Sequence, residues 1–393
     1  MSYTLPEILN SRSKEEIEAT LDYFNELPLR SGRKQDMVKR LSAYLSNPKV
    51  WLEKLMEPDL RLLQKLCKAG PDKFVDMIPG DFPSVVEVLR LVETGDSDSE
   101  DYIRIGISSI FYNLIAKDID GVILRKEQDG SFELEHLILG IVNFYGAVPL
   151  RTFVSCICDD YTDLALLGHL IKLIKEHPII RMYQENYRGE TYLVSPYVEN
   201  FDALMQKRRS ACKGIRRYPE IRREAAESCG IDSPFCFYGK DTPEGKALVD
   251  LLYCIGYEGD ALLAVAHSVW INAQFEPDDN NTGMLLYPVT SVIDEIPTFE
   301  LFREYVDVIL AYANKVPKWL LKGRSAEETG MMRYSASDSY LESLYGHEMS
   351  ESESEALMKL FDSVHRVRPA GPDDPCPCGS GFSYRFCHGR HVS

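Results

Sequence analysis

Two stretches of this 393-residue chain repeat one order of elements, apolar helical periodicity closed by short strand-like runs. Glu100, Tyr102, Ile103, Phe111 and Leu114 recur at one constant offset as Glu190, Tyr192, Leu193, Phe201 and Leu204. A tandem duplication accounts for the match. Such a chain folds as small modules with separate cores. Its length also exceeds what one core normally organises, since domains of roughly 100–200 residues imply two to four folded units.

Helical periodicity marks Glu15 to Phe24 and Gln35 to Leu45, joined by LPLRSGRK with a sharp turn expected at Gly32. Apolar helical segments follow around Leu60 to Leu66 and Val85 to Val92, then a polar turn, ETGDSDSED, and a strand over Tyr102 to Ile105. The second block predicts helices at His136 to Phe144, Leu150 to Cys158 and Leu164 to Glu176, then strands at Ile179 to Tyr183 and Thr191 to Val194 around the turn Tyr187-Arg188-Gly189. Three helices followed by a hairpin resemble a winged helix, a family whose members contact DNA or other proteins. Farther on, Glu244 to Ile255, Asp260 to Gln274 and Thr298 to Ala313 read as helices separated by the loop EPDDNNTG, and Arg333 to Glu355 as a solvated connection.

The expected fold is mainly α with small β-hairpins, a multi-module helical protein. Its modules are a SAP-like helix-loop-helix (1–50), winged-helix-like units (51–126 and 127–235, the second with a basic helix), a helical domain (236–332), a linker (333–370) and a zinc knuckle (371–393).

The tail carries the most specific chemistry. In DDPCPCGSGFSYRFCHGRH, Cys376, Cys378, Cys387 and His388 form a Cys₃His set of the kind that holds zinc tetrahedrally, with iron as the chemical substitute. Pro377 stiffens the first pair, and Gly379 and Gly381 permit a tight loop. So short a segment buries no core, so metal would supply its folding free energy. The stretch PCPCGSGFSYRFCHG resembles the SEC-C motif, Cys-x-Cys, eight residues, then Cys-His or Cys-Cys. The motif is named from the C-terminus of the bacterial preprotein translocase ATPase, and the resemblance implies zinc-dependent docking to a protein partner or the ribosome. Phe382-Ser383 stands where that family commonly has lysines. No Gly-x-x-x-x-Gly-Lys-Ser/Thr phosphate loop occurs upstream, which excludes the motor itself. A second stretch, from Asn314 with Pro317, Trp319 and Gly323, is similar to one that precedes SEC-C tails in bacterial proteins, with Trp319 as a packing anchor.

A net charge of −17 argues against indiscriminate coating of nucleic acid, so any phosphate contact must be local. Two basic clusters stand out. Leu29, Gly32, Lys34, Val38, Arg40 and Leu41 are similar to the second half of a SAP-like motif, and Arg30, Arg33, Lys34, Lys39 and Arg40 would face DNA or RNA there. The run containing Lys207, Arg208, Arg209, Arg216 and Arg217 is the second candidate, read as an amphipathic helix broken near Pro219. A plain solvated face is the alternative for both.

No catalytic motif is found. His267 in ALLAVAHSVW reads as a core histidine, and His136 and His169 have no patterned partner. The ten cysteines form no disulfide framework, and the start shows neither a signal peptide nor any bilayer-spanning run, so a cytoplasmic bacterial protein is expected. The leading expectation is a non-enzymatic zinc-binding protein joining a nucleic-acid or ribosome contact to a protein docked through the tail. The alternatives are a pure protein-interaction adaptor, and an enzyme with a site in 241–328.

Overall fold

The computed structural model describes residues 4–27, 32–77, 85, 89–95, 103–158, 168, 172, 175–177, 180–181, 183–210, 212–230 and 237–346, with side chains 155–158, 228 and 260 left aside. The chain divides into two units, residues 1–135 with 157–186, and residues 136–156 with 187–393. As expected, it is mainly α with small antiparallel sheets.

The first unit opens with helices fixed by side-chain caps. Thr4 and Glu7 form a capping box at α1 (Leu5–Ser11), and Ser13 and Glu16 another at α2 (Lys14–Tyr23), each satisfying donors that a helix start leaves open. Both pack on α3 (Lys34–Leu45), burying Leu9, Ile17, Leu21, Met37 and Leu41. Gly32 has no left-handed φ, and a Cβ there would meet only Met37 Cε at 3.8 Å; residues 28–31, which precede it in the expected turn, lie outside the described residues. Asn25, at φ 58, takes that conformation just after α2. Then follow α4 (Pro48–Leu52), α5 (Glu57–Ala69) and β1 (Phe74–Met77), and after them β2 (Glu93–Gly95), β3 (Ile103–Gly106), α6 (Ser109–Ile115) and α7 (Ile119–Gln128).

The strands of the first unit run in the order β1-β3-β2, all antiparallel to β3. Residues 93–95, read as part of a turn, are therefore an edge strand. Val85 is helical, but the expected helix does not continue through Leu89 to Val92. The two outer strands hold only three or four residues, too few to show periodicity in sequence.

Helix α8 (Ser131–Tyr145) leads into β4 (Ala147–Pro149) and α9 (Leu150–Cys158), and the hairpin β5 (Gln184–Tyr187) and β6 (Glu190–Val194) follows. The strand order β4-β6-β5 repeats that of the first sheet, with the last strand central. Ile180 and Arg181 are helical, so the hairpin arm begins later than Ile179. Its register is set by Arg188 and Gly189, at φ 54 and 81, the paired positive angles of a two-residue turn.

Helix α10 (Phe201–Ser210) ends before the basic run does. Residues 212–222 are irregular, and α11 (Arg223–Ser228) starts anew, so no single amphipathic helix spans the cluster. Gly214 and Pro219 lie in the interruption, where both are poor helix formers.

The larger core of the second unit is built by α12 (Pro243–Cys254), α13 (Gly259–Asn272), α14 (Asp279–Thr290) and α15 (Phe299–Lys315), around Leu252, Val265, Trp270, Leu285, Phe302 and Ile309. Helix α14 begins inside the expected loop EPDDNNTG, because the Asp278 carboxylate accepts from Asn281 N–H and caps it. After α16 (Ala326–Thr329), Tyr334 is buried and α17 (Asp338–Tyr345) seats Leu341 in the core. The expected connection from Arg333 is thus core for its first part.

Trp319 anchors this unit, as its motif implied. Its indole N–H donates to the Asn143 carbonyl at 2.7 Å, and its ring lies where a Cβ on Gly146 would intrude. Asn314 pairs with Tyr334 through both ends of its amide, at 2.9 and 2.8 Å.

Candidate phosphate-binding cleft

A cleft of about 680 Å³ opens in the second unit, walled by five short segments. Pro149 ends β4 and α9 starts at once, which puts Arg151 in the first helical turn. The hairpin turn contributes Arg188, whose guanidinium lies 5.6 Å from the centre of the Tyr187 ring. The end of α10 supplies Arg208 and Arg209, the following loop Arg216, Arg217 and Tyr218, and the turn after Trp319 supplies Lys322. Seven cationic side chains therefore meet one carboxylate, Glu190, in a chain whose net charge is −17. That local inversion of sign makes the cleft a candidate anion site.

The cations have different tasks. Arg208 is only 4% exposed, and it donates to the carbonyls of Trp319 (3.0 and 2.6 Å), Ala147 (2.8 Å) and Tyr145 (2.6 Å), and to the Tyr218 hydroxyl at 3.3 Å. With its donors engaged, it supports the cleft and lends it positive potential without reaching a ligand. Burial, and then the Arg208 charge, lower the affinity of Lys322 for its proton, and Lys322 Nζ donates to the Ile215 carbonyl at 2.7 Å. Arg209, Arg216 and Arg217 are exposed, and among the described residues they form no ion pair. Glu190 accepts from Arg151 Nε at 2.7 Å and from the Tyr192 hydroxyl at 3.0 Å. Burial, and then this carboxylate, push the Tyr192 hydroxyl up.

Of the residues expected to meet phosphate, Arg209, Arg216 and Arg217 come together at the cleft, while Lys207 pairs with Glu276 and Arg208 is structural. Sequence reading missed Arg151, Arg188 and Lys322. Only Arg188 carried a signal, its place in a Tyr-Arg-Gly turn. The N-terminal candidates belong to the other unit. There Lys34 Nζ donates to the Asn10 carbonyl at 2.7 Å and Arg40 pairs with Glu26 at 3.2 Å. Arg33 and Lys39 are exposed, and Arg30 lies outside the described residues.

The first unit holds a smaller polar cavity of about 290 Å³. Lys126 and Glu135, both buried, form an ion pair at 2.6 Å, and His177 Nε2 lies 3.4 Å from the same carboxylate oxygen. Burial pushes the Glu135 carboxyl up, but Lys126 and His177 outweigh it and hold it below its usual range. Ordinary satisfaction of buried charge explains the ion pair.

Cys376, Cys378, Cys387 and His388 lie outside the described residues. Among the described residues no group of three or more His, Cys, Asp or Glu side chains could hold a metal ion. The donor set of the tail suits zinc by its chemistry, three thiolates and one imidazole. His267 packs against Tyr197 and Trp270, at 4.8 and 5.7 Å between ring centres, in an aromatic cluster. No helix among the described residues is long and apolar enough to cross a membrane.

Short stretches of the chain are similar to the protein translocase subunit SecA. The SecA of Acinetobacter baylyi is 34% identical over 74 residues, 18% of this chain and 8% of the relative. That of Aromatoleum aromaticum is 30% identical over 96 residues, 23% of this chain and 10% of the relative, and that of Chloroherpeton thalassium 55% over 29 residues, 7% and 3%. The chain thus spans a tenth or less of each of these relatives. No family profile matches it, and no solved structure does.

Proposed function

We propose that this is a non-catalytic, zinc-binding interaction protein of the bacterial cytoplasm. It joins a protein partner, docked through its SEC-C-like tail, to the phosphates of a nucleic acid or of the ribosome held at the basic cleft. The observation that carries the second half is the convergence of Arg151, Arg188, Arg209, Arg216, Arg217 and Lys322 on one concavity of an acidic protein. Tandem winged-helix modules are the architecture we assign to the two three-stranded sheets. The shared strand order and the position of Arg188 at the tip of the second hairpin support it.

The tail reading rests on the Cys₃His spacing and on the short SecA similarities. Zinc would act there as a structural ion, holding a recognition surface in shape. Elemental analysis of the purified chain should give about one zinc, lost when Cys376→Ser and Cys387→Ser are combined. Full retention of metal by that double variant ends the assignment.

For the cleft, filter binding against DNA and RNA across a salt series is the test. Affinity should fall steeply as salt rises, with a slope of about 0.9 per neutralised phosphate on duplex DNA. Absence of binding at low salt, where the phosphate attraction is strongest, removes the nucleic-acid half and leaves an adaptor between proteins.

A further inference from the structure

We infer that the cleft is an end-binding site: it seats a terminal phosphomonoester of single-stranded nucleic acid in preference to the phosphodiesters of a duplex, and Glu190 is the resident anion that the phosphate displaces from Arg151. This rests on the reading of the cleft as phosphate-binding.

Shape is the first argument. A surface that tracks a duplex arrays its cations along a ridge or a groove-filling helix, because the phosphates lie on the outside of a wide cylinder. Here Arg151, Arg188, Arg209, Arg216 and Lys322 come from five separate segments and surround a cavity of about 680 Å³. Small-molecule sites span roughly 300–1,000 Å³, so one or two terminal nucleotides fit where a double helix does not.

Charge is the second. A phosphate monoester carries roughly −1.5 to −2 at neutral pH, against −1 for a diester. The three loop and helix-end arginines without ion pairs offer forked donors that suit its three free oxygens. Glu190 already occupies the anion position at Arg151 Nε, 2.7 Å away, and is also held by the Tyr192 hydroxyl at 3.0 Å. When Arg151 swings to an incoming phosphate, Glu190 keeps a partner. An internal carboxylate of this kind disfavours singly charged diesters more than a dianion.

The wall also offers a platform for a base. Tyr187 is half-buried, and its ring is held edge-on by Phe201 at 6.0 Å between centres, with Arg188 over it. A preset aromatic face beside an arginine is the usual means of stacking an unpaired base without reading its sequence.

The test is fluorescence anisotropy with the full chain and single strands of about ten nucleotides, within the usual site size of one binding module. They would be made as RNA and as DNA, with a phosphate at the 5′ end, at the 3′ end or at neither, beside a blunt duplex lacking terminal phosphates. One phosphorylated end should bind about tenfold tighter than the hydroxyl strand or the duplex, the scale of one additional charge-assisted hydrogen bond. Whichever end binds tighter distinguishes a 5′ from a 3′ site. Arg216→Ala with Arg217→Ala should abolish the contrast, and Glu190→Gln should tighten every probe several-fold while narrowing it. Equal affinity for phosphorylated and hydroxyl strands, or preference for the duplex, overturns the end-binding inference and leaves the general phosphate contact standing. No binding of any probe at low salt removes both.

Discussion

Replacing Arg208 by methionine keeps the length and apolar stem of the side chain and deletes its N–H donors. The carbonyls of Tyr145, Ala147 and Trp319 then face a buried thioether, and each loses a bond of 2.6 to 3.0 Å. The Trp319 carbonyl keeps the Lys322 N–H at 3.0 Å and the Ala147 carbonyl keeps the Tyr218 hydroxyl at 3.3 Å. Lost bonds therefore cost about 0.5–1.5 kcal/mol each at those two sites, with about 1–3 kcal/mol at the Tyr145 carbonyl, about 2–6 kcal/mol in all. The variant also removes a buried guanidinium that forms no ion pair among the described residues, and whose hold on its proton burial weakens. Relief of that desolvation returns several kcal/mol. The net expectation is a loss of about 1–3 kcal/mol, within the range of broken buried networks. Urea unfolding of the full chain carrying Trp51→Phe, followed by the fluorescence of Trp270 and Trp319, reads the second unit. At a slope of about 1–3 kcal/mol/M its midpoint should fall by roughly 0.5–1.5 M. Arg208→Lys should recover less than half, because an ammonium offers a point charge in place of a planar fork. A loss below about 0.5 kcal/mol for the methionine variant would refute the reasoning, showing that the carbonyls were never dependent on this side chain.

Glycine replacements should separate two kinds of site. At Gly146, φ is 69° and a Cβ would stand 2.3 Å from Trp319 Cγ, so Gly146→Ala should cost about 2–4 kcal/mol by chemical denaturation. Gly121 lies within α7 with nothing inside 4 Å, so Gly121→Ala should stabilise by roughly 0.5–1 kcal/mol. Equal effects at the two would contradict the packing described. Burial raises the Asp59 carboxyl from 3.8 to about 7, although it accepts from the Val85 N–H at 2.9 Å. The folded state therefore holds this proton more tightly than the unfolded one, and stability should fall as pH rises from about 4 to 7. Asp59→Asn should flatten that slope in a thermal melt of the first unit, and an unchanged slope would mean the carboxyl is not buried as drawn.

How much of this was legible depended on how local the determining physics is. The helices α2, α3, α5, α12, α13 and α15 announce themselves through apolar periodicity, which is a property of consecutive residues. Helix α14 was hidden because its first turn, Asp-Asn-Asn-Thr, has the composition of a loop, and only the Asp278 cap and the packing of Leu285 and Leu286 make it helical. The edge strands β1, β2 and β4 were hidden by their length, since they exist only through pairing with β3 and β6. The cleft was half legible. A run of arginines showed in sequence, but Arg208 could not be told from its neighbours, because its burial is decided by carbonyls 61 to 111 residues away. Arg151 is a lone cation in sequence and Lys322 one of a sparse set with Lys318 and Arg324, and both acquire meaning only where the chain returns.

The bond between Trp319 and Asn143 spans 176 residues, and it sets an order of events for a chain made from one end. Closing so long a loop costs about 4–5 kcal/mol of chain entropy, repaid only once the tryptophan exists. At roughly 5–20 residues per second, Asn143 and Gly146 at the end of α8 must wait on the order of 10–30 s after synthesis before the indole that covers them emerges, whereas β4 waits only for its partner β6. Meanwhile the segment 136–156 interrupts the first unit, whose own last residues are 157–186. Phe144 and Tyr145, both buried in the finished protein and lying where the chain returns at Gly323, are the apolar side chains left waiting during that interval.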